Sequence, residues 1–183
     1  KRDVYFACSK FETNENRTKG NVKAIKAFWM DLDCGESKAK VNPKTKYQSA
    51  YISNPPDMSG FNAPDKGKVS ATGMFQNAAD VVYSAAGSTG LGTHQAAAAI
   101  KGKWSIGVDA DEALYPANAK VKQAILTSAL KNVDVGVNSF LTDVYNNKFT
   151  PGAHFFGLAN GGVGFSTTGN HLSASVVSQV KAL

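Results

Sequence analysis

The stretch "DVVYSAAGSTGLGTHQAAAAIKGKWSIGVD", residues 80–109, decides the fold. It opens with "DVVYSAA", an apolar run of the length expected for a strand buried on both faces. The glycine-rich "GSTGLG", residues 87–92, follows at once, then "THQAAAAIK" with helical composition, then a second strand pattern, "KWSIGVD". Strand, tight turn, helix and strand over short connections is the pattern of a crossover between parallel strands.

The alternation continues on both sides. Downstream, "QAILTSAL" predicts a strand, and "NVDVGVNSFLTDVYNN" a helix with Val133, Val137, Phe140, Leu141 and Val144 on one stripe. "HFFGLANGGVGFS" reads as a glycine-rich extended piece and "LSASVVSQVKAL" as a closing helix. Upstream, "YQSAYIS", residues 47–53, predicts a strand, and "PDKGKVSATGMFQNA" a helix with Pro64 in its first turn, where a missing N–H costs nothing. The expected fold class is α/β, a parallel sheet flanked by helices on both faces.

The first 46 residues differ in character. They carry 11 Lys/Arg against 6 Asp/Glu, whereas residues 47–183 carry 9 against 8, so the formal charge of +6 belongs mainly to the opening quarter. A charge so localised is no argument for nucleic acid as a partner of the whole chain. "DVYFACSKF" and "AIKAFWMDLD" predict two strands, which either add to the main sheet or form a small flanking unit. The two cysteines, Cys8 and Cys34, have no CxxC spacing. No apolar run approaches the roughly 20 residues that span a bilayer.

Within "FWMDLDCG", Asp31 and Asp33 stand two residues apart, so an extended strand turns both carboxylates to one face. Their repulsion requires either a divalent cation or solvent. A bare DxD reads first as the polar end of a strand facing water, and second as a pair able to hold Mg²⁺ or Mn²⁺ against phosphates, with Arg17, Lys19 and Lys23 nearby in sequence.

Two resemblances follow from these motifs. "SGFNAPDKGK", "DVVYSAAGSTGLGTHQAA", "KWSIGVDADEALYP", "ILTSALKNVDVGV" and "GLANGGVGF", over residues 47–183, resemble the basic membrane protein family of nucleoside-binding receptors of ABC transporters. The resemblance covers the second lobe of a two-lobed fold, with the return segment and a helix that packs on the first lobe. "VYFACSKF", the arginine of "NENRTKGNV", "AIKAFWMDLDCGESKAK" and "NPKTKY" resemble the palm of phage-type primase-polymerases, over residues 4–46. In that family paired aspartates hold the catalytic metals, so Asp31 and Asp33 are the metal candidates. Together they imply a chimera joined near residues 46–49, with a 1–46 fragment and a 47–183 lobe.

The receptor resemblance implies four ligand-binding positions. Tyr83 takes the place of an aromatic residue facing the base, and Ser88 that of a glycine whose backbone approaches the ligand. Asp109 ends a strand at the carboxyl edge of the sheet, where a carboxylate can accept two hydrogen bonds from the vicinal hydroxyls of a ribose. Lys131 ends the next strand as a donor towards sugar or base. Asp111 and Glu112 read as solvent-facing loop charges, and Trp29 and Trp104 as buried anchors. The expected function is a nucleoside-type binding lobe without catalysis or cofactor, weak unless two chains pair, and working with an ABC permease within a complete receptor. The alternatives are a metal- and nucleotide-binding primase fragment and a recombined chain without native function. The receptor-like part implies the cell envelope, the primase-like part the cytoplasm.

Overall fold

The computed structural model describes residues 9–11, 22–25, 48–54 and 56–182. Near the N-terminus, β1 (Ser9–Phe11) and β2 (Val22–Ile25) pair antiparallel as a two-stranded sheet of their own. Among the described residues they do not extend the main sheet. β2 begins earlier than the expected second strand, inside the polar connection, while Trp29, Asp31 and Asp33 lie outside the described residues.

The main sheet has four strands in the order β3-β4-β5-β6. β3 (Val81–Tyr83), β4 (Trp104–Asp109) and β5 (Ile125–Lys131) run parallel, and β6 (Val163–Phe165) closes one edge antiparallel to β5. The helices are α1 (Pro64–Gln76), α2 (Gly90–Ala98), α3 (Val133–Tyr145) and α4 (Ala174–Lys181). The expected α/β class and its parallel sheet are thus present, with one antiparallel edge.

Two expectations about this sheet are corrected. Residues 48–54 form no strand. Their polar side chains bond the backbone instead: Gln48 Nε2 donates to Asn77 O at 2.7 Å, and Ser53 Oγ donates to Asp57 O at 2.7 Å and accepts from Gly60 N at 3.0 Å. Local bonds such as those of Ser53 compete with a strand ladder. Consequently β3 is an edge strand among the described residues rather than one buried on both faces, and Val81 is 41% exposed.

The core lies between α1, α2 and one face of the sheet. Ala71 and Phe75 of α1 meet Ala96 and Ala97 of α2, Val82 of β3, and Ala124. Small residues set how closely the helices approach. A Cβ at Gly92 would sit 1.8 Å from the Pro64 carbonyl oxygen and 2.7 Å from the Lys68 nitrogen, so glycine is obligatory there. Thr89 pins the same junction from its buried position, donating to Gly60 O at 2.6 Å and accepting from Ala63 N at 2.8 Å.

Helices α3 and α4 contain no buried residue. The stripe read from the sequence is present on α3, but it is uncovered among the described residues: Val133, Val137, Phe140, Leu141 and Val144 are all exposed. No described helix is long and apolar enough to cross a membrane.

Candidate functional site

Tyr83, Asp109 and Lys131 are the last residues of β3, β4 and β5, three adjacent parallel strands. Parallel pairing therefore gathers them at the carboxyl edge, where the loops of an open α/β sheet leave room for a ligand. Lys131 Nζ lies 2.6 Å from Asp109 Oδ1, and both side chains are more than half exposed. Burial of the Tyr83 phenol raises its pKa above the ordinary tyrosine value, and the nearby negative charges of Asp109 and Glu112 add to the shift. An aromatic ring, a carboxylate and an ammonium group thus share one edge.

Asp109 is held in an unusual conformation. Its φ is +67°, and Ala110 N donates to Val108 O at 2.8 Å across it. A bond from residue i+2 back to residue i around a positive φ is a γ-turn of the rare, strained hand. Strain of this kind in a residue other than glycine concentrates at ligand sites. The Asp109 side chain is exposed at the end of β4, while that of Val108 is half-buried.

Ser88 is placed differently from the other three. It sits in a single 3-10 turn, Gly87–Thr89, immediately before α2. Its hydroxyl donates to Asn62 Oδ1 at 2.7 Å and approaches Phe61 O at 3.2 Å. Ser88 therefore joins the 59–62 turn to the turn after β3, and no described bond links it to Asp109 or Lys131. Gly87, at φ +53°, keeps the same junction close, since a Cβ there would stand 3.0 Å from Phe61 O. This brings an exposed aromatic, Phe61 at 47%, to the rim beside Ser88. Sequence reasoning passed over Phe61, although a large apolar side chain within a loop bounded by prolines was its signal.

Glu112 corrects another expectation. It is 6% exposed rather than solvent-facing. Its carboxylate accepts from Val108 N at 2.9 Å through Oε1 and faces His94 Nε2 at 2.5 Å through Oε2. Its own N–H donates to Ser128 Oγ at 3.1 Å, and its carbonyl accepts from Asn118 Nδ2 at 2.8 Å. His94 is fully buried, with Nδ1 2.8 Å from Ser105 Oγ. Because Ser105 Oγ donates to Ala124 O at 3.0 Å, that hydroxyl accepts from the His94 Nδ1–H. One proton must then lie between His94 Nε2 and Glu112 Oε2, since two lone pairs cannot face each other at that distance. Asp111 is half-buried, accepting from Thr168 Oγ1 at 2.5 Å and from Ala113 N at 3.3 Å. Trp104 is half-buried at the opposite end of β4, its ring 4.7 Å from that of His171.

Among the described residues no group of three or more His, Cys, Asp or Glu is placed to hold a metal. A surface depression of about 420 Å³ is lined by Tyr51, Ile52, Asp65, Lys66, Val69 and Ser70, and by none of the four candidate ligand residues.

Comparison with known proteins bears on this arrangement. Residues 39–183 match the family model described as Bmp, ABC transporter substrate-binding protein PnrA-like. A CD4+ T-cell-stimulating antigen of Listeria innocua is 32% identical over 181 residues, covering 93% of this chain and 49% of its own length. An ABC transporter nucleoside-binding protein BmpA of Lactococcus lactis is 33% identical over 116 residues, covering 56% of this chain and 33% of its own. A solved ABC-transporter solute-binding protein of Conexibacter woesei shares the fold, with a TM-score of 0.57 at 21% identity over 77% of this chain and 43% of that one. The chain spans about half the length of the Listeria relative.

The primase-polymerase resemblance of residues 4–46 finds no support in these comparisons. Residues 47–183 are about three-quarters of the chain, so a match over 93% takes in most of the opening segment as well. Asp31 and Asp33 lie outside the described residues, and the geometry neither joins nor separates them. From residue 39 onward, with its edge of Tyr83, Asp109 and Lys131, this chain belongs to the Bmp family of ABC transporter substrate-binding, PnrA-like proteins.

Proposed function

We propose that residues 47–183 form one lobe of a solute receptor and bind a nucleoside through the carboxyl edge of the parallel sheet, without chemical transformation. The observation that carries this reading is the convergence of Tyr83, Asp109 and Lys131 at three adjacent strand ends. The Asp109 carboxylate accepts hydrogen bonds from the two vicinal hydroxyls of the ribose. Lys131 neutralises that carboxylate in the absence of ligand and donates to sugar or base when ligand is present. Tyr83 and Phe61 supply aromatic surface for the base, and Ser88 fixes the turn between them. The naming of the Lactococcus relative as nucleoside-binding supports the ligand class.

The exposed stripe of α3 fits the same reading. Five large apolar side chains on one helix face form the kind of patch that marks an interface. The relatives are about twice as long as this chain, and the remaining half of a two-lobed receptor is the natural cover. An ABC permease is the partner of the complete receptor. A ligand enclosed by two lobes loses half its contacts when one lobe acts alone. If the lobes contribute equally, about −8 kcal/mol falls to about −4 kcal/mol, so this chain binds in the millimolar range.

Calorimetry with adenosine, 2′-deoxyadenosine and adenine tests the ribose assignment. The ribonucleoside binds most tightly and the free base least if Asp109 reads the diol. Equal affinity for all three removes Asp109 from the reading.

A further inference from the structure

The γ-turn at Asp109 needs something to hold it, and the buried Glu112 is built to do so. Glu112 is fixed at four points: by His94 and the Val108 N–H on its carboxylate, by Ser128 on its N–H, and by Asn118 on its carbonyl. Space has been cleared for it, because a Cβ at Gly107 would stand 2.9 Å from Glu112 Cβ and one at Gly90 3.2 Å from Glu112 Oε2. The Val108 N–H that it binds belongs to the residue whose carbonyl closes the γ-turn. We infer that the His94–Glu112 pair is a positioning device that sets Asp109 in its ligand-binding conformation, an inference that rests on the nucleoside reading of the edge.

The physical argument is one of transmission. His94 stands on α2 and Ser128 on β5, so Glu112 ties the loop after β4 to two rigid elements at once. A strained residue persists only where its surroundings over-determine it. Removing the carboxylate takes from the Val108 N–H and from His94 Nε2 the partner each has in Glu112, while His94 Nδ1 keeps Ser105, and the turn is then free to relax to an ordinary strand end. Glutamine is different. Its carbonyl can accept from Val108 N, and its amide can donate the proton that must lie opposite His94 Nε2.

The test compares the full chain with Glu112→Gln and Glu112→Met, reading amide exchange at Val108 and Ala110, the Asp109 backbone chemical shifts, and adenosine affinity. Glu112→Gln is expected to keep the turn and to bind within about twofold of the parent. Glu112→Met, similar in length but without an acceptor, is expected to fold, to lose protection at Val108 and the Asp109 turn shifts, and to bind about tenfold more weakly. Parent-like turn shifts, or parent-like affinity with the turn lost, in Glu112→Met overturn the inference. If the parent binds no adenosine, the nucleoside reading fails, and the turn shifts alone decide whether Glu112 positions Asp109. Should Glu112→Met not fold, Ser128→Ala removes only the acceptor of the Glu112 N–H. It is expected to move the same readouts in the same direction by about threefold, and no movement overturns the inference.

Discussion

Asp109 Oδ1 and Lys131 Nζ, 2.6 Å apart, join the ends of two adjacent parallel strands across an exposed edge. The pair does little for stability, because an ion pair open to water is worth at most about 1 kcal/mol. Its geometry matters for what it can release: each partner gives up the other when a ligand offers hydroxyls to the carboxylate and acceptors to the ammonium.

Replacing Asp109 should separate function from stability. Asp109→Gly and Asp109→Ala both remove the carboxylate, and both are expected to abolish saturable nucleoside binding. They should differ in stability, since alanine at φ +67° carries a steric cost of about 1–2 kcal/mol that glycine escapes. Chemical denaturation is expected to rank Gly above Ala by about 1 kcal/mol. An alanine variant as stable as the glycine variant contradicts the left-handed assignment.

Gly92→Ala is expected to destabilise the chain by about 2–4 kcal/mol, because the added methyl meets the Pro64 backbone and neither helix can yield without opening the core. Gly73 is the internal control. A Cβ there meets nothing within 4 Å, and Gly73→Ala should stabilise α1 by up to about 1 kcal/mol. Thermal melts of the two variants should move in opposite directions.

The Tyr83 phenol should ionise above the ordinary tyrosine value. The sign follows from proton counts. Above about pH 10 the unfolded chain releases this proton while the folded chain keeps it, so stability falls as pH rises through that region. Tyr83→Phe removes this contribution. An ultraviolet pH titration in which no tyrosine ionises late, or in which the late one survives Tyr83→Phe, argues against it.

The uncovered stripe on α3 should make the isolated chain self-associate. Val137→Lys with Leu141→Lys is expected to abolish concentration-dependent association in sedimentation and to change stability by no more than about 0.5 kcal/mol, as neither side chain is buried. A monomeric parent chain means that the face does not pair with a second copy, and a large loss of stability in the variant means that the stripe packs within the chain.

How far the sequence disclosed this architecture depends on the range of the forces involved. The parallel strands and α1 to α4 were legible because apolar runs and punctuating glycines are local signals. The strand expected over residues 47–53 failed because Ser53 and Gln48 spend their hydrogen bonds on nearby and distant backbone, which no periodicity announces. The strand ends at Asp109 and Lys131 were legible because the strand pattern is local, whereas the ligand role proposed for them comes from the family resemblance. Glu112 was misread because an acidic residue in "DADE" looks solvated. Its burial depends on His94, eighteen positions away, and on clearance at Gly107 and Gly90, which only folding brings together.

The most direct test of the central claim is calorimetric titration of the chain and of Asp109→Ala with adenosine, guanosine, inosine and cytidine. Saturable heat in the millimolar range for at least one nucleoside, absent in Asp109→Ala while its far-ultraviolet spectrum is unchanged, is the predicted result. Binding of equal strength in Asp109→Ala, or no saturable heat with any of the four, contradicts the assignment of this edge as a nucleoside site.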